Sequence, residues 1–246
     1  MNSLNLAELI FFCLIIIISY AIRGSAGFGG ITVPLLAWIL SLKTVIPMVT
    51  FLGLISSALI IRTEYRLILW NDLKKILPWT AIGVALGIYF FRLLNALTIA
   101  RILGCIVFIY GAYAFIITYR PIKKIKLPMQ LITPFAGTLA GYVGTLFGSM
   151  AGIFYAIYFD LLKPQRDHFR ATVAAILFAL GILRGTAYIA TGEFTPDVQN
   201  ACALAIPMMV LGTVIGNKLQ ANLNDTSFKR LVAVILIISA IPLLIK

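Results

Sequence analysis

The sequence predicts an all-α membrane protein built from two inverted repeats of five helical elements each, with short or broken helices at glycine-rich motifs. Of its 246 residues, 61% are hydrophobic and 11% are charged, whereas a soluble domain is about 45–50% apolar and about 25% charged. The basic residues, which produce a formal net charge of +12, lie in short clusters between apolar runs. This distribution is typical of the loops of a multi-pass membrane protein, and it excludes a soluble enzyme and a nucleic-acid-binding module.

Ten apolar segments follow one another, and a membrane-spanning helix requires roughly 20 residues. The first is predicted to be a retained helix because residues 1–14 lack the positive region of a signal peptide. The basic stretch at 120–127 separates a first transmembrane repeat (1–119) from a second (128–246) and is predicted to be a cytoplasmic linker. The predicted segments are 4–22, 28–42, 45–61, 76–91 and 99–118, then 131–146, 147–162, 170–190, 200–219 and 228–245.

The two halves are related in sequence. Each contains a Gly-x-x-x-Gly pair, which lets helices approach closely in lipid. Five residues recur at a constant spacing of 129: Pro78, Gly83, Gly87, Leu94 and Arg101 match Pro207, Gly212, Gly216, Leu223 and Arg230. Because five elements per half is an odd number, the second half is predicted to enter the membrane in the opposite sense. Inverted repeats of this kind are typical of secondary transporters, which bind substrate near the midplane.

The basic residues also predict the orientation in the membrane. With alternating sides, fifteen Lys and Arg residues fall on one side and four on the other, and the positive-inside rule makes the richer side cytoplasmic. We therefore expect a multi-pass protein of the cytoplasmic membrane with both termini extracytoplasmic. All ten segments can cross, or the first two of each half can form a re-entrant hairpin, because both topologies give the later loops the same sides.

A glycine-rich break follows the first segment. Glycines at 24, 27, 29 and 30 do not sustain a helix on their own, and broken backbone at membrane depth requires protein or a wet cavity around it. The amides of a helix that restarts near Phe28 would form an anion site. The predicted substrate-binding residues here are Ser25, Gly27, Gly29 and Gly30. Alternatively, the glycines only allow a tight helix crossing.

A second break is predicted near residues 145–149. The 33 residues from 127 to 159 carry no charge, which is too long for one helix and short for two full crossings. Thr145, Gly148 and Ser149 are the predicted substrate-binding residues, with the two hydroxyl groups as donors. The four-residue spacing of glycines around them also suits plain helix packing.

These motifs resemble those of a known family. Gly27-Phe-Gly-Gly-Ile-Thr-Val-Pro-Leu-Leu36 resembles the glycine-rich signature of the TauE/SafE sulfite exporter family, as does Leu77-Pro-x4-Gly-x3-Gly87 after a basic loop. The resemblance covers essentially the whole chain and implies transport of sulfite, sulfoacetate or related small anions. It also implies a role for Thr172 near the start of the eighth segment, although this hydroxyl can instead bond the preceding turn. The second copy, Phe147-Gly-Ser-Met-Ala-Gly152, lacks the full glycine cluster and the following proline.

Two arginines are predicted to supply countercharge to an anion. Arg184 lies inside the eighth segment, where insertion costs roughly 2.5–3.5 kcal/mol unless the side chain faces protein or a cavity. Arg23 precedes the first glycine break, and the eight acidic residues lie near segment ends. Alternatively, an arginine bonds carbonyls freed by a helix break or reaches outward to the interface. His168, the single histidine, is a candidate proton relay or a solvated or capping residue.

The sequence therefore predicts an alternating-access exporter of a small organosulfur or inorganic anion such as sulfite or sulfoacetate. The expected partners are that anion and membrane lipid, with no nucleic acid, and association into a homo-oligomer stays open. No catalytic residue, metal site or cofactor is expected, because no paired Cys/His cluster or catalytic motif occurs. The alternatives are a transporter of another small carboxylate or neutral solute, and a membrane assembly partner that moves no solute.

Overall fold

A computed structural model describes residues 5–26, 30–119, 129–148, 150–162, 165–219 and 225–245. Every regular element within these ranges is helical, so the all-α prediction is confirmed. A 3-10 turn, Tyr65–Leu67, joins the third helix to the fourth. The helices are α1 (Leu6–Ala26), α2 (Thr32–Leu36), α3 (Leu42–Glu64), α4 (Trp70–Leu93), α5 (Ala96–Tyr119), α6 (Met129–Phe147), α7 (Ala151–Leu162), α8 (Arg166–Ala190), α9 (Pro196–Leu219) and α10 (Asp225–Ile245).

The described helices are those of a multi-pass membrane protein. Six of them, α1, α3, α4, α5, α8 and α9, are long and apolar enough to cross a bilayer. Large apolar side chains cover their outer faces, as Ile10, Leu14 and Ile18 do on α1, each more than half exposed. Such a surface is stable only against lipid or another apolar partner. The most buried of the six candidate spans are α3 and α8, which form the centre of the molecule.

The second element of each half is shorter than predicted. With a rise of 1.5 Å per residue, the five residues of α2 span about 7.5 Å and the twelve of α7 about 18 Å, whereas the hydrocarbon core is about 30 Å thick. The predicted segments 28–42 and 147–162 therefore do not form membrane-spanning helices. The expected restart near Phe28 lies outside the described residues, and the helix that the structure describes in this segment is Thr32–Leu36, which turns follow directly.

Helices α4 and α6, and helices α1 and α9, pack closely where glycines lie at their contacts. A Cβ atom on Gly83 of α4 would lie 2.1 Å from the carbonyl oxygen of Thr138 on α6, and one on Gly216 of α9 would lie 2.1 Å from that of Ala21 on α1. The two Gly-x-x-x-Gly pairs thus allow the close packing that the sequence predicts. Along these contacts α4 runs parallel to α6, and α1 runs parallel to α9.

The two central helices, α3 and α8, run antiparallel. Gly185 of α8 faces Phe51 of α3, and Gly181, one turn earlier on α8, faces Leu54. The remaining strong pairing is between α5 and α10. Hence the core of the molecule lies between α3, α8 and the two hairpins, α1–α2 and α6–α7.

Candidate functional site

A small cavity lies between α1, α3, α8 and the start of α7. The space open to the centres of water molecules is about 20 Å³, which is room for one or two waters. In this conformation the cavity is therefore too narrow for most organic anions. Its lining consists of Tyr20, Arg23, Thr32, Val49, Gly148, Met150, Ala151, Gly152, Leu177 and Arg184.

Arg184 enters the cavity from α8 and is 6% exposed. Its Nη1 donates a hydrogen bond to the carbonyl oxygen of Gly144 in the last turn of α6, where carbonyls lack helical partners. Tyr188, one turn further along α8, donates to the neighbouring carbonyl of Thr145. The Nε of Arg184 is buried and has no partner among the described residues. The arginine thus fastens the end of α6 and retains an unused donor beside the cavity.

Arg23 reaches the same cavity from α1. Its Nη2 donates to the Gly53 carbonyl oxygen at 3.2 Å and to Ser57 Oγ at 2.8 Å, both on α3. Its guanidinium carbon lies 5.9 Å from the ring centre of Tyr20, and its buried Nε has no partner among the described residues. Since Gly53 is at the middle of α3, the Arg23 guanidinium lies beside the middle of that helix.

The cavity is electropositive. Neither Arg23 nor Arg184 forms an ion pair with a carboxylate of the described residues, and both side chains line the same cavity. The first turn of α7, beginning at Ala151, also borders the cavity. Its amides lack intrahelical acceptors and carry the positive end of the helix dipole. An oxyanion would satisfy all of these groups at once.

The turn between α6 and α7 brings the start of α7 to the cavity. The helix break predicted near residues 145–149 is confirmed, because α6 ends at Phe147 and α7 begins at Ala151. Within the turn, Gly148 has φ of 69° and Met150 has φ of 70°, a left-handed conformation that is uncommon for a bulky residue. These angles reverse the chain within a few residues.

The structure brings three of the predicted substrate-binding residues, Arg23, Gly148 and Arg184, to one cavity. Thr145 is fully buried next to Gly87, its hydroxyl has no partner among the described residues, and it does not line the cavity. Gly30 is described and does not line it either. Gly27, Gly29 and Ser149 lie outside the described residues, and of Ser25 only the backbone, in α1, is described.

Thr172 and His168 lie near the start of α8, apart from the cavity lining. The Thr172 hydroxyl donates to the His168 carbonyl oxygen at 2.6 Å and accepts from the Leu69 amide at 2.9 Å. This hydroxyl therefore joins the N-terminal ends of α4 and α8. His168 Nδ1 is buried without a partner among the described residues, and its role as a proton relay stays a prediction.

Tyr20 also lines the cavity and is 1% exposed, although it is not among the residues predicted from the sequence. Its hydroxyl donates to the Val49 carbonyl oxygen at 3.5 Å. A signal was present in the sequence, because residues three apart on a helix share a face and Tyr20 precedes Arg23 by three. Thr32 and Met150 were also missed; each follows a glycine-rich stretch closely.

Comparisons with known proteins agree with these features. The family model described as Sulfite exporter TauE/SafE matches residues 11–243 of the chain. A curated relative, the Probable inner membrane transporter protein TsaS of Comamonas testosteroni, is 23% identical over 185 residues, which cover 73% of this chain and 74% of the relative. No solved structure matches the chain significantly.

Proposed function

Because the chain belongs to the TauE/SafE sulfite exporter family of membrane transporters, we propose that it exports a small organosulfur or inorganic anion, such as sulfite or sulfoacetate, by alternating access. The observation that carries this proposal is the cavity containing Arg23 and Arg184, neither of which has a carboxylate partner among the described residues. Buried charge without a counterion is costly. An anionic substrate would remove that cost on binding.

The chemistry of the lining favours an oxyanion as substrate. A guanidinium presents planar donors that match sulfonate, sulfite or carboxylate oxygens. The unused Nε atoms of both arginines and the amides at the start of α7 would share these oxygens. In this conformation the cavity is too narrow for such an anion, so the proposed cycle includes a state in which the cavity is wider. A conformational change is therefore part of the proposal.

Helix packing supports two inverted halves that meet at this cavity. The equivalent helices α3 and α8 run antiparallel. The counterparts of α1 and α4 in the second half are α6 and α9, and the contact of α1 with α9 therefore has its counterpart in the contact of α6 with α4. The two arginines lie on non-equivalent elements, Arg23 on the first of its half and Arg184 on the third, but they bridge the same two elements of each half. Arg23 bridges α1 to α3, and Arg184 bridges α8 to α6. Each half thus contributes one arginine that joins its first and third elements.

Export is the direction that the membrane potential favours. An inside-negative potential drives an anion outward with about 2.3 kcal/mol per charge per 100 mV, so export requires no coupling ion in principle. The proposal places the protein in the cytoplasmic membrane, with the basic linker at 120–127 inside and both termini outside. In that orientation the Glu64 end of α3 faces the cytoplasm.

Anion efflux from proteoliposomes tests the function. Purified protein is reconstituted with labelled sulfite or sulfoacetate inside, and efflux is followed at zero potential and at an imposed inside-negative potential. We expect saturable efflux that the potential accelerates, while labelled glucose and choline stay inside. Saturable efflux of glucose or choline with none of either anion would overturn the substrate class. Retention of all four solutes would favour a membrane partner that moves no solute.

A further inference from the structure

An ion pair joins α8 to α3 at one end of these central helices. Arg170, near the start of α8, pairs through Nη1 with Glu64, the last residue of α3. The Nε of Arg170 also donates to the Gly24 carbonyl oxygen at 3.1 Å, in the last turn of α1. The side chains of Arg170 and Glu64 are 5% and 18% exposed. This pair therefore holds three helices together at one end of the cavity.

A second ion pair joins the same two helices at their other end. Lys43, the second residue of α3, lies 4.0 Å from Glu193, measured from Nζ to Oε1. Its Nζ also donates to the Phe91 carbonyl oxygen at the end of α4. Glu193 is positioned by a left-handed turn after α8, in which Gly192 has φ of 76° and the Glu193 amide bonds to the Tyr188 carbonyl oxygen.

The acids of the two ion pairs recur at the spacing that relates the two halves. Glu64 and Glu193 are 129 residues apart, which is the spacing that relates Gly83 and Gly87 to their second copies. Glu64 ends the third element of the first half and Glu193 follows the third element of the second half, and each basic partner lies near the start of the third element in the other half. Because α3 and α8 are antiparallel, the cavity lies between the pairs, with Val49 and Leu177 lining its walls.

We propose that Arg170–Glu64 and Lys43–Glu193 are the two gates of the transport cycle, which separate alternately to open the cavity to opposite sides of the membrane. This proposal rests on the alternating access proposed above. Each ion pair fastens the ends of α3 and α8 on one side, so its separation lets the helices part on that side alone. One charge pair on each side biases which side opens, because a small free-energy difference between two states decides their populations.

The two gates differ in the conformation described. Lys43 and Glu193 have side chains 29% and 22% exposed and do not reach hydrogen-bonding distance, whereas Arg170 and Glu64 are in contact and more buried. A more exposed and more distant charge pair is weaker. The molecule is therefore held most firmly at its Glu64 end, and the Glu193 end opens first.

Thiol accessibility tests the gates without any substrate. A reporter variant, Val49→Cys, places a thiol in the cavity after Cys13, Cys105 and Cys202 are replaced by Ala. An anionic, membrane-impermeant thiol reagent is added to right-side-out or inside-out vesicles, so that labelling from each side is measured separately. Glu64→Gln should accelerate labelling from the side of its own gate about tenfold, which corresponds to about 1.4 kcal/mol, and slow it from the other side.

The second gate should behave in the opposite way. Glu193→Gln is expected to accelerate labelling from the other side of the membrane, and Arg170→Gln should reproduce the direction of Glu64→Gln, so a folding defect in one variant does not decide the outcome. The matched control is Asp72→Asn, which removes an ion pair with the exposed Lys75 within α4, away from α3 and α8, and should leave both rates unchanged.

The results separate the gates from the proposed function. Opposite shifts for the two gates support the proposal. Unchanged rates in both gate variants, or shifts toward the same side, would overturn it even if anion efflux is intact. Conversely, opposite labelling shifts in a protein that moves neither sulfite nor sulfoacetate would preserve the gates and refute the proposed substrates.

Discussion

Arg184 provides the sharpest test of the proposed anion site, through the substitution Arg184→Met. Methionine retains much of the length of the side chain and removes the charge. Because Nη1 is already used by Gly144, we count one charge-assisted hydrogen bond from Nε to the anion, worth about 1.5–3 kcal/mol. A loss of about 2 kcal/mol raises the half-saturating anion concentration about 30-fold. Arg184→Lys retains the charge but loses the planar donors, so its increase should be smaller.

The assay is saturable anion efflux from proteoliposomes, with the half-saturating concentration and the maximal rate measured separately. Tyr188→Phe is the matched structural control, since Tyr188 fastens the neighbouring Thr145 carbonyl on the same end of α6 without carrying charge. Arg62→Met is the matched control for charge, because Arg62 is exposed near the end of α3. Both controls should retain the half-saturating concentration of the parent protein.

One result would refute the reasoning. If Arg184→Met and Tyr188→Phe lower the melting temperature similarly and neither changes the half-saturating concentration, Arg184 only fastens the end of α6. The anion site would then have to depend on Arg23 and the first turn of α7.

The structure makes three further predictions, each measured as a melting temperature in detergent. Gly216→Ala should destabilise the protein by about 1–3 kcal/mol, because its Cβ atom would lie 2.1 Å from the Ala21 carbonyl oxygen. The control is Gly185→Ala, whose Cβ atom would have its nearest neighbour at 3.6 Å. Equal effects of the two substitutions would contradict the close contact. Gly192→Ala should lower the free energy of unfolding by about 1–2 kcal/mol. The cost comes from the φ of 76° alone, since nothing lies within 4 Å of the added Cβ atom. An unchanged melting temperature would argue against the left-handed turn. Thr172→Val should lower the free energy of unfolding by about 1–3 kcal/mol, because it leaves the Leu69 amide without its hydrogen-bond partner. An altered half-saturating anion concentration at unchanged stability would instead indicate a role in binding.

The long helices could be predicted from the sequence because the thickness of the bilayer sets the length of an apolar run. The predicted segment 45–61 became α3, Leu42–Glu64, and segment 170–190 became α8, Arg166–Ala190. The short elements were less predictable. Apolar composition continues through residues 31–40, and only the bends of the chain in three dimensions show that a five-residue helix forms there.

The candidate site was predictable in its charges but not in its contacts. Arg184 and Arg23 stood out because arginine is costly at membrane depth. That both line one cavity, and that each has a carbonyl partner, depends on contacts between helices. Tyr20 and Met150 attracted no attention, since tyrosine and methionine are ordinary residues of an apolar segment.

By itself, the sequence determined the class of protein and which arginines lie inside or beside apolar segments, because both follow from composition and from position along the chain. Only the tertiary structure decided which charges meet. Arg170 and Glu64 are 106 residues apart in the sequence and appeared there as residues near segment ends, yet the antiparallel packing of α3 and α8 makes them a buried pair. The physical reason is that electrostatic energy depends on distance and burial in space, neither of which a spacing along the chain specifies.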